Sequence, residues 1–549
     1  MIKTTMTRVC AGAVVSALLA GTALAQGAAP RPFTPSPERL KAHMDVLAAD
    51  AMGGREAGTR GFDQAAAYVA GEFGKLRLKP AGGGGSFLQP VPLVGYRTAD
   101  AGNTLSLRRA GGTNVALEIG TDWSPGAAPV ALMQLDAPVV FAGHGVVRPG
   151  RDDYAGLNVQ GSVVVLMGGV PAGLNTEEQA HFRSAATKRA LAGARGAVGV
   201  LFLESPEERK RRPFRATPGR GMSWLGADGR GFQNGAPSLG VLSLEGAAKL
   251  FEGAPQTWTA ISAGGGEPPR FALPGRLAAT MRSELTPLRS ANVAGLIEGE
   301  RTDEVLVLSA HLDGVGTHDP EPSQGGASPA ANAPVDRIHN GAMDNASGVA
   351  TLLEVARGFV ESGQKPRRSV MLLAVTAEEK GLVGADYFAR NPTVPKTALV
   401  GNVNLDMPIL SYDFTDVVAF GAERSSIGEA AARAAPRAGV KLVPDHRPQM
   451  NLFTRSDHYR FVEQGVPSVF LMTGPGAGGN EAWDRFFAER YHKPTDDMGQ
   501  PLNFTAAARF AQVNYQIARE LADAPERPKW KADDFFGGVF GSAASRAAP

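Results

Sequence analysis

Four mostly apolar runs in the second half of the chain constrain the fold more than any other feature. None of them alternates strictly between apolar and polar residues, which is typical of strands that are covered on both faces. Segments with helical spacing of apolar residues lie between or after them, at 349–362, 380–390 and 425–438. This order predicts an α/β fold with a mostly parallel, twisted sheet between helices. The four runs are Val305–Ala310, Val370–Val375, Leu399–Leu405 and Ser468–Met472.

Polar residues follow three of these runs. In an open α/β sheet, ligands bind beyond the carboxyl ends of the strands, so we expect side chains from separate strands to share one crevice. These residues are His311 and Asp313, Glu378 and Glu379, and Asp406.

Two further residues are candidates for the same crevice. Asp344 lies in a stretch of small residues, Gly341–Gly348, just before a helical segment. Small residues allow other groups to approach a turn closely, so this position suits a ligand better than a core residue. His492 lies in a later loop together with Asp496, an acidic neighbour able to orient its ring.

Histidines and carboxylates without sulfur form a ligand set suited to zinc, or less readily to manganese or cobalt. The set is large enough for two ions that share a carboxylate, and Asp344 is the natural bridge. Glu378 and Glu379 are then expected to have different roles. One carboxylate binds metal, and the other accepts the proton of the attacking water. The side chain of Asp313 is expected to form a hydrogen bond with the ring nitrogen of His311 that does not bind metal.

Five short motifs follow one another between His311 and Asp496. They are His-x-Asp from 311, Asn-Gly-Ala-x-Asp-Asn-Ala-Ser-Gly from 340, Glu-Glu-x-Gly-Leu-x-Gly from 378, Asn-x-Asp-Met from 404 and Tyr-His-x-x-x-Asp from 491. In this order they resemble the co-catalytic di-zinc aminopeptidases of metallopeptidase clan MH, family 28. The resemblance extends over residues 37–93 and 290–523. It implies a zinc-exopeptidase fold of α/β/α type that removes N-terminal residues from peptides.

The resemblance implies a metal role for five residues. One zinc ion would be held by His311 and Asp406, and a second by Glu379 and His492. Asp344 would bridge the two ions, and the resemblance suggests a cis peptide bond after it.

The resemblance also assigns residues around the metal ions. Glu378 would act as general base, Asp313 would support the metal ligands, and Tyr491 would stabilise the oxyanion as in some members. A Ser-Asp-His stretch matches the family near the substrate pocket. The substrate-binding candidates are Ser456, Asp457 and His458.

The first 25 residues form a basic start, an apolar run and a small-x-small site, which together predict a secretory signal cleaved after Ala25. We therefore expect a periplasmic or secreted protein that no longer contacts the membrane after cleavage. Cys10 is the only cysteine and lies in this signal, so the mature chain has no thiol for disulfides or metal. The whole chain has 56 basic and 54 acidic side chains. Lys3 and Arg8 are the only charged residues of the signal, so its cleavage would leave equal numbers of basic and acidic side chains. This balance gives no reason to expect nucleic acid as a partner.

Between about 126 and 282 the pattern changes to short β-runs broken by Gly and Pro. Phe141–Gly145, Asp152–Gly156 and Gly193–Val200 resemble a protease-associated (PA) domain, a module that usually caps or gates an active site. The predicted organisation is a signal peptide (1–25), an N-terminal part of the peptidase domain (26–125), a β-rich PA-like insertion (126–282), the main zinc peptidase domain (283–524) and a C-terminal tail (525–549).

Other functions remain open on the same pattern. The fold also supports carboxypeptidase or glutaminyl-cyclase-like chemistry, against which the Ser-Asp-His stretch favours an aminopeptidase. A metal-free binding protein with a degraded site is disfavoured because every type of ligand is present. A Pro/Ala/Gly-rich segment between Gly314 and Asp336 departs from the family pattern and leaves the width of the pocket open. Peptide substrates are the expected partners, and the oligomeric state is not determined by these motifs.

Overall fold

The computed structural model of the chain describes Met1 and residues 33–109, 111–318 and 336–547. The predicted signal peptide beyond Met1 and most of the segment between Gly314 and Asp336 lie outside the described residues. None of the helices in the described part combines the length and the apolar composition needed to cross a bilayer.

The helices carry the amphipathic segments that the sequence predicts, together with several others. In chain order they are α1 (Pro37–Leu47), α2 (Arg60–Lys75), α3 (Thr176–Arg183), α4 (Ala185–Gly193), α5 (Pro206–Arg211), α6 (Leu244–Leu250), α7 (Trp258–Ala263), α8 (Ser347–Glu361), α9 (Val383–Arg390), α10 (Ser426–Ala434), α11 (His458–Val462), α12 (Gly479–Glu489), α13 (Phe504–Asp523) and α14 (Phe535–Phe540).

The strands form two large sheets and two short antiparallel pairs. In chain order they are β1 (Lys79–Pro80), β2 (Leu88–Thr98), β3 (Thr104–Arg108), β4 (Asn114–Leu117), β5 (Trp123–Pro125), β6 (Leu132–Phe141), β7 (Val147–Arg148), β8 (Arg151–Asp152), β9 (Val163–Met167), β10 (Gly199–Leu203), β11 (Arg220–Trp224), β12 (Ser238–Leu242), β13 (Phe271–Ile297), β14 (Arg301–His311), β15 (Gly316–Thr317), β16 (Ile338–His339), β17 (Arg368–Val375), β18 (Leu399–Leu405), β19 (Asp416–Phe420), β20 (Lys441–Val443) and β21 (Ser468–Thr473).

The first sheet has the strand order β20-β19-β21-β18-β14-β17-β13-β2-β11. At its centre β21, β18, β14 and β17 are parallel, and β13, β2 and β11 continue it in antiparallel fashion. The parallel centre confirms the predicted class of fold. All four central strands therefore end at one edge of the sheet.

Helices cover both faces of this sheet, and the side chains of β14 and β17 alternate between two cores. In β14, Leu306 and Leu308 pack in the core that includes α8 and α13. Val305 and Val307 pack in a separate core with α9. Each such fully buried aliphatic side chain contributes roughly 1.5–3 kcal/mol, so strand and helices hold the carboxyl edge rigidly.

The second sheet has the order β4-β3-β13-β6-β9-β10-β12-β5. The long strand β13 belongs to both sheets, since its first half pairs with β3 and β6 and its second half pairs with β2 and β17. Strand β11, which lies inside 126–282, pairs with β2 in the first sheet. The boundaries proposed for the PA-like insertion stay a prediction.

Two contacts join elements that are distant in the chain. His181 of α3 contacts the hydroxyl of Tyr459 in α11, with its Nδ1 at 2.5 Å. Trp530 and Phe536, both in the tail beyond 525, are fully buried against this region. The tail therefore contributes to the core.

Candidate metal centre

The carboxyl edge of the first sheet brings the predicted metal ligands together. His311 is the last residue of β14, and Asp406 directly follows β18. Glu379 follows β17 after a short turn, and Asp344 lies in an irregular turn, Ala342–Ala346, just before α8. His492 comes from the loop after α12.

These five residues form two clusters that share one carboxylate. In the first cluster, His311 Nε2 lies 3.1 Å from Asp344 Oδ1 and 3.1 Å from Asp406 Oδ1. In the second, His492 Nε2 lies 3.4 Å from Asp344 Oδ2 and 3.2 Å from Glu379 Oε2. The donor atoms of each cluster all lie within 4.8 Å of one another. Because its two oxygens face different clusters, Asp344 is placed to bridge them.

Hydrogen bonds between side chains and main-chain groups fix the turn that carries Asp344. The carboxylate of Asp496 accepts from the amides of Met343 and Asp344, at 2.9 Å each, instead of orienting the ring of His492. Asn345 Nδ2 donates to the carbonyl of Leu405 at 2.9 Å, which ties the turn to the end of β18. The Asp344–Asn345 peptide bond is cis.

Asp313 supports a different group from the one expected. The carboxylate of Asp313 accepts from the amides of Glu378 at 3.0 Å and Glu379 at 3.2 Å. The Nδ1 of His311 lies 3.1 Å from the main-chain carbonyl of Asp313, so the backbone and not the side chain receives that N–H. Asp313 thus positions both glutamates, and its loop fixes the tautomer of His311 with Nε2 free for metal.

Of the predicted substrate-binding stretch, only Ser456 faces the cavity beside the clusters. Its Oγ donates to Asp406 Oδ2 at 2.6 Å and accepts from Asn404 at 2.7 Å. Asp457 and His458 are fully buried behind it, with the ring of His458 against Phe470. Neither of these two residues reaches the wall of the cavity.

Arg55 is a site residue that the sequence analysis missed. Its guanidinium is buried and donates to four main-chain carbonyls. The acceptors are Leu47 at 2.5 Å, Asn340 at 2.6 Å, Leu312 at 3.0 Å and Gly341 at 3.0 Å. Arg55 thereby joins the loop after His311 to the turn before Asp344. The motif around Arg55 is rich in glycine, which indicated a loop but not this role.

The charges of the clusters are strongly coupled. Burial alone would lower the pKa of both histidines, but the facing carboxylates raise that of His492 to about 10 and that of His311 well above its usual value. Burial favours the neutral form of Asp344, yet the two histidines hold its pKa below the usual range. The two clusters therefore carry an excess of buried negative charge. Bound protons or bound metal cations would neutralise this charge.

Glu378 stands beside the clusters without being one of their members. Burial, with the charges of Glu379, Asp457 and Asp406, raises its pKa well above the usual value for a glutamate, although His311 opposes the shift. Burial likewise raises the pKa of Asp313 to about 6. A carboxylate with a raised pKa is suited to accept and return a proton near neutral pH.

A cavity of about 330 Å³ opens onto both clusters. Its wall includes Glu378, Ser456 and Tyr491, together with apolar side chains from Leu382, Met407, Leu452 and Phe470. The ring of Tyr491 stacks on that of His492 with 3.9 Å between centroids. The cavity is large enough for one amino-acid residue and part of a second.

The fold and this site define an α/β protein with a two-cluster centre of metal-ligand residues at the carboxyl edge of its sheet. Residues 292–518 match the sequence model of peptidase family M28. A probable zinc metalloprotease of Leptosphaeria maculans is 26% identical over 272 residues, which cover 44% of this chain and 60% of that protein. A probable zinc metalloprotease of Pyricularia oryzae is 27% identical over 271 residues, which cover 44% of this chain and 51% of that protein.

An aminopeptidase from Aneurinibacillus sp. strain AM-1 aligns over 90% of this chain and 95% of its own, with 19% identity and a TM-score of 0.46. The match to the family model includes all five residues of the two clusters. Residues 292–518 are therefore similar in sequence to peptidase family M28.

Proposed function

We propose that the protein is a zinc-dependent exopeptidase that removes N-terminal residues from peptides. The observation that carries the proposal is the pair of histidine–carboxylate clusters joined by the two oxygens of Asp344, with Glu378 beside them in one cavity. The chain spans about half to three fifths of the length of the two relatives named above, so the activity of the whole protein is inferred from this site.

The residues present fit two metal ions. His311 and Asp406 would hold one ion, Glu379 and His492 the other, and Asp344 both. Glu379 Oε1 is buried and has no hydrogen-bond partner among the described residues, as expected for a ligand atom. Nitrogen and oxygen donors without thiolates suit zinc. Such ions supply Lewis acidity that polarises the substrate carbonyl and acidifies the attacking water.

The side chains of the protein supply the proton transfers. Glu378 takes a proton from the attacking water as the C–O bond forms, and delivers it to the nitrogen of the leaving peptide as the C–N bond breaks. The Tyr491 hydroxyl donates a hydrogen bond to the carbonyl oxygen as its negative charge grows. Asp313 keeps Glu378 in place through the amide at 3.0 Å.

The Ser-Asp-His stretch that begins at Ser456, on the wall of the cavity, favours a substrate with a free amine. A carboxypeptidase or a glutaminyl cyclase on the same fold, and an inactive binding protein, are the competing functions. We further propose that residues 1–25 direct export of the protein. The PA-like residues 126–282 are proposed to cap the active site.

The test is release of 4-nitroaniline from free and acetyl-blocked aminoacyl substrates, with metal content measured before and after chelation. The proposal predicts hydrolysis of free amines only, loss of activity with removal of about two equivalents of zinc, and recovery on adding zinc. Two bound zinc ions without this activity would favour a carboxypeptidase or cyclase. A protein that binds no metal would be a scaffold.

A further inference from the structure

One cation on the wall of the cavity has no acidic partner among the residues that the structure describes. Arg455 follows a single turn of 3-10 helix, Leu452–Thr454, and its side chain is exposed where it lines the cavity that both clusters open into. The next residue, Ser456, is tied to the ligand Asp406 at 2.6 Å. The backbone of Arg455 is therefore anchored close to the proposed metal ligands.

The hydrogen bonding of Arg455 leaves its charge available. Its Nη1 donates to the carbonyl of Met450 at 3.4 Å, and no carboxylate of the described residues lies within 4.0 Å of the guanidinium. Arg460 lines the same cavity but is already paired, because it donates to Glu463 at 2.8 Å and to the carbonyl of Gly381 at 3.1 Å. Of these two arginines, Arg455 is the one free to bind a substrate anion.

The rest of the wall near Arg455 fits an anion carried on a short apolar chain. Leu452 adjoins Arg455, and Met407 and Phe470 add further apolar surface to the cavity. A carboxylate at the end of one or two methylene groups would place those groups on this surface and its oxygens against the guanidinium. Arginine presents parallel N–H groups that match a carboxylate in bidentate fashion.

We propose that Arg455 determines specificity by binding a carboxylate of the substrate. This inference rests on the proposed exopeptidase function and names its preferred substrates. The carboxylate belongs either to an acidic N-terminal side chain or to the C-terminus of a dipeptide, and the chemistry of recognition is the same for both.

Two matched pairs of substrates separate these sources. Glutamyl- and glutaminyl-4-nitroanilide differ by one charge at nearly equal shape, and Leu-Gly and its C-terminal amide differ in the same way at the other end. A hydrogen-bonded charge pair of this kind predicts that kcat/KM is about 10- to 100-fold higher for the carboxylate member of at least one pair. The pair that shows the preference identifies the carboxylate that is bound.

The variant Arg455→Gln is expected to bring that ratio to about one, and Arg455→Lys to restore part of it, since lysine keeps the charge without the bidentate geometry. The control is Arg433→Gln, which removes the same charge at an exposed arginine paired with Glu520 on α13 and absent from the cavity wall. This control should keep the wild-type ratio.

Three results would overturn the inference. Wild-type protein that hydrolyses both members of each pair equally well would show that Arg455 selects no carboxylate. A ratio that survives in Arg455→Gln would assign the preference to another group. Wild-type protein that hydrolyses none of the substrates, free amines included, would contradict the proposed function as well as the inference.

Discussion

Replacing Arg55 by Met tests whether a buried arginine holds the two halves of the metal centre together. The substitution keeps much of the side-chain volume but removes the guanidinium donors to the carbonyls of Leu47, Leu312, Asn340 and Gly341. Of these acceptors, Gly341 keeps a second donor, the amide of Ala346 at 3.0 Å. Burial lowers the pKa of Arg55 to about 10, so the group that is lost is a guanidinium still charged at neutral pH.

The expected loss follows from those four acceptors. A buried carbonyl left without its donor costs about 1–3 kcal/mol, and relief of the desolvated charge offsets part of the total. We therefore expect the free energy of unfolding to fall by about 3–5 kcal/mol. Since the same guanidinium joins the loops of His311 and Asp344, zinc affinity should also fall about 10- to 100-fold, as for other groups that support metal ligands.

Urea unfolding, with and without chelator, and competition for zinc with a coloured chelator measure these two effects. The control is Arg289→Met at an exposed arginine of β13, which should change neither quantity. An Arg55→Met protein within about 1 kcal/mol of wild type, with unchanged zinc affinity, would refute the argument, because four buried carbonyls cannot lose a charged donor at so small a cost.

Three further predictions follow from single side chains. Tyr491→Phe should lower kcat by about 100-fold with unchanged zinc content, because one donor to the oxyanion is removed; a normal kcat would exclude that role. Asp496→Ala should weaken zinc binding by about 10- to 100-fold, since the amides of Met343 and Asp344 lose their acceptor, and zinc retained through dialysis against chelator would contradict this. Burial lowers the pKa of His181 to about 4, below the ordinary 6.5, so its contribution to stability is complete above pH 6.5 and is lost as the pH falls toward 4. Unfolding free energies from pH 7.5 to 5 should therefore decline less steeply for His181→Phe than for wild type, and parallel curves would show that His181 is protonated without cost.

Strand positions were predictable wherever burial on both faces left a continuous apolar run. β18 occupies the residues predicted, Leu399–Leu405, and β21 extends its prediction by a single residue, Thr473. Residues 178–192 have helical spacing throughout but form two helices, α3 and α4, because Ser184 between them leaves the helical conformation and caps the second helix. Periodicity cannot show such a break, since both helices keep similar spacing.

The long strand β13 was not predicted from the sequence. It contains Pro274, Gly275 and Pro287, which are normally signals of turns, and each half is stabilised by a different sheet. Its conformation is set by partners that are distant in sequence, so no local pattern indicates it. The same holds for Trp530 and Phe536, whose burial depends on α11 and its neighbours.

The candidate site was more predictable than the fold around it. Three of its proposed ligands, His311, Glu379 and Asp406, end or follow buried strands at one edge of a parallel sheet, so their convergence can be inferred from strand order alone. The supporting contacts could not be inferred in the same way. Arg55 and Asp496 both bind main-chain groups, and a sequence does not show which carbonyls or amides a fold will present to a side chain.

The most direct test of the central claim is the activity of Glu378→Gln measured together with its zinc content. The account predicts that the variant retains about two zinc equivalents per chain, because Glu378 belongs to neither cluster, while kcat on a free aminoacyl-4-nitroanilide falls by about 100- to 10,000-fold. A variant that keeps its zinc and hydrolyses the substrate at a rate close to wild type would contradict the assignment of Glu378 as the proton acceptor, and with it the mechanism proposed for this site.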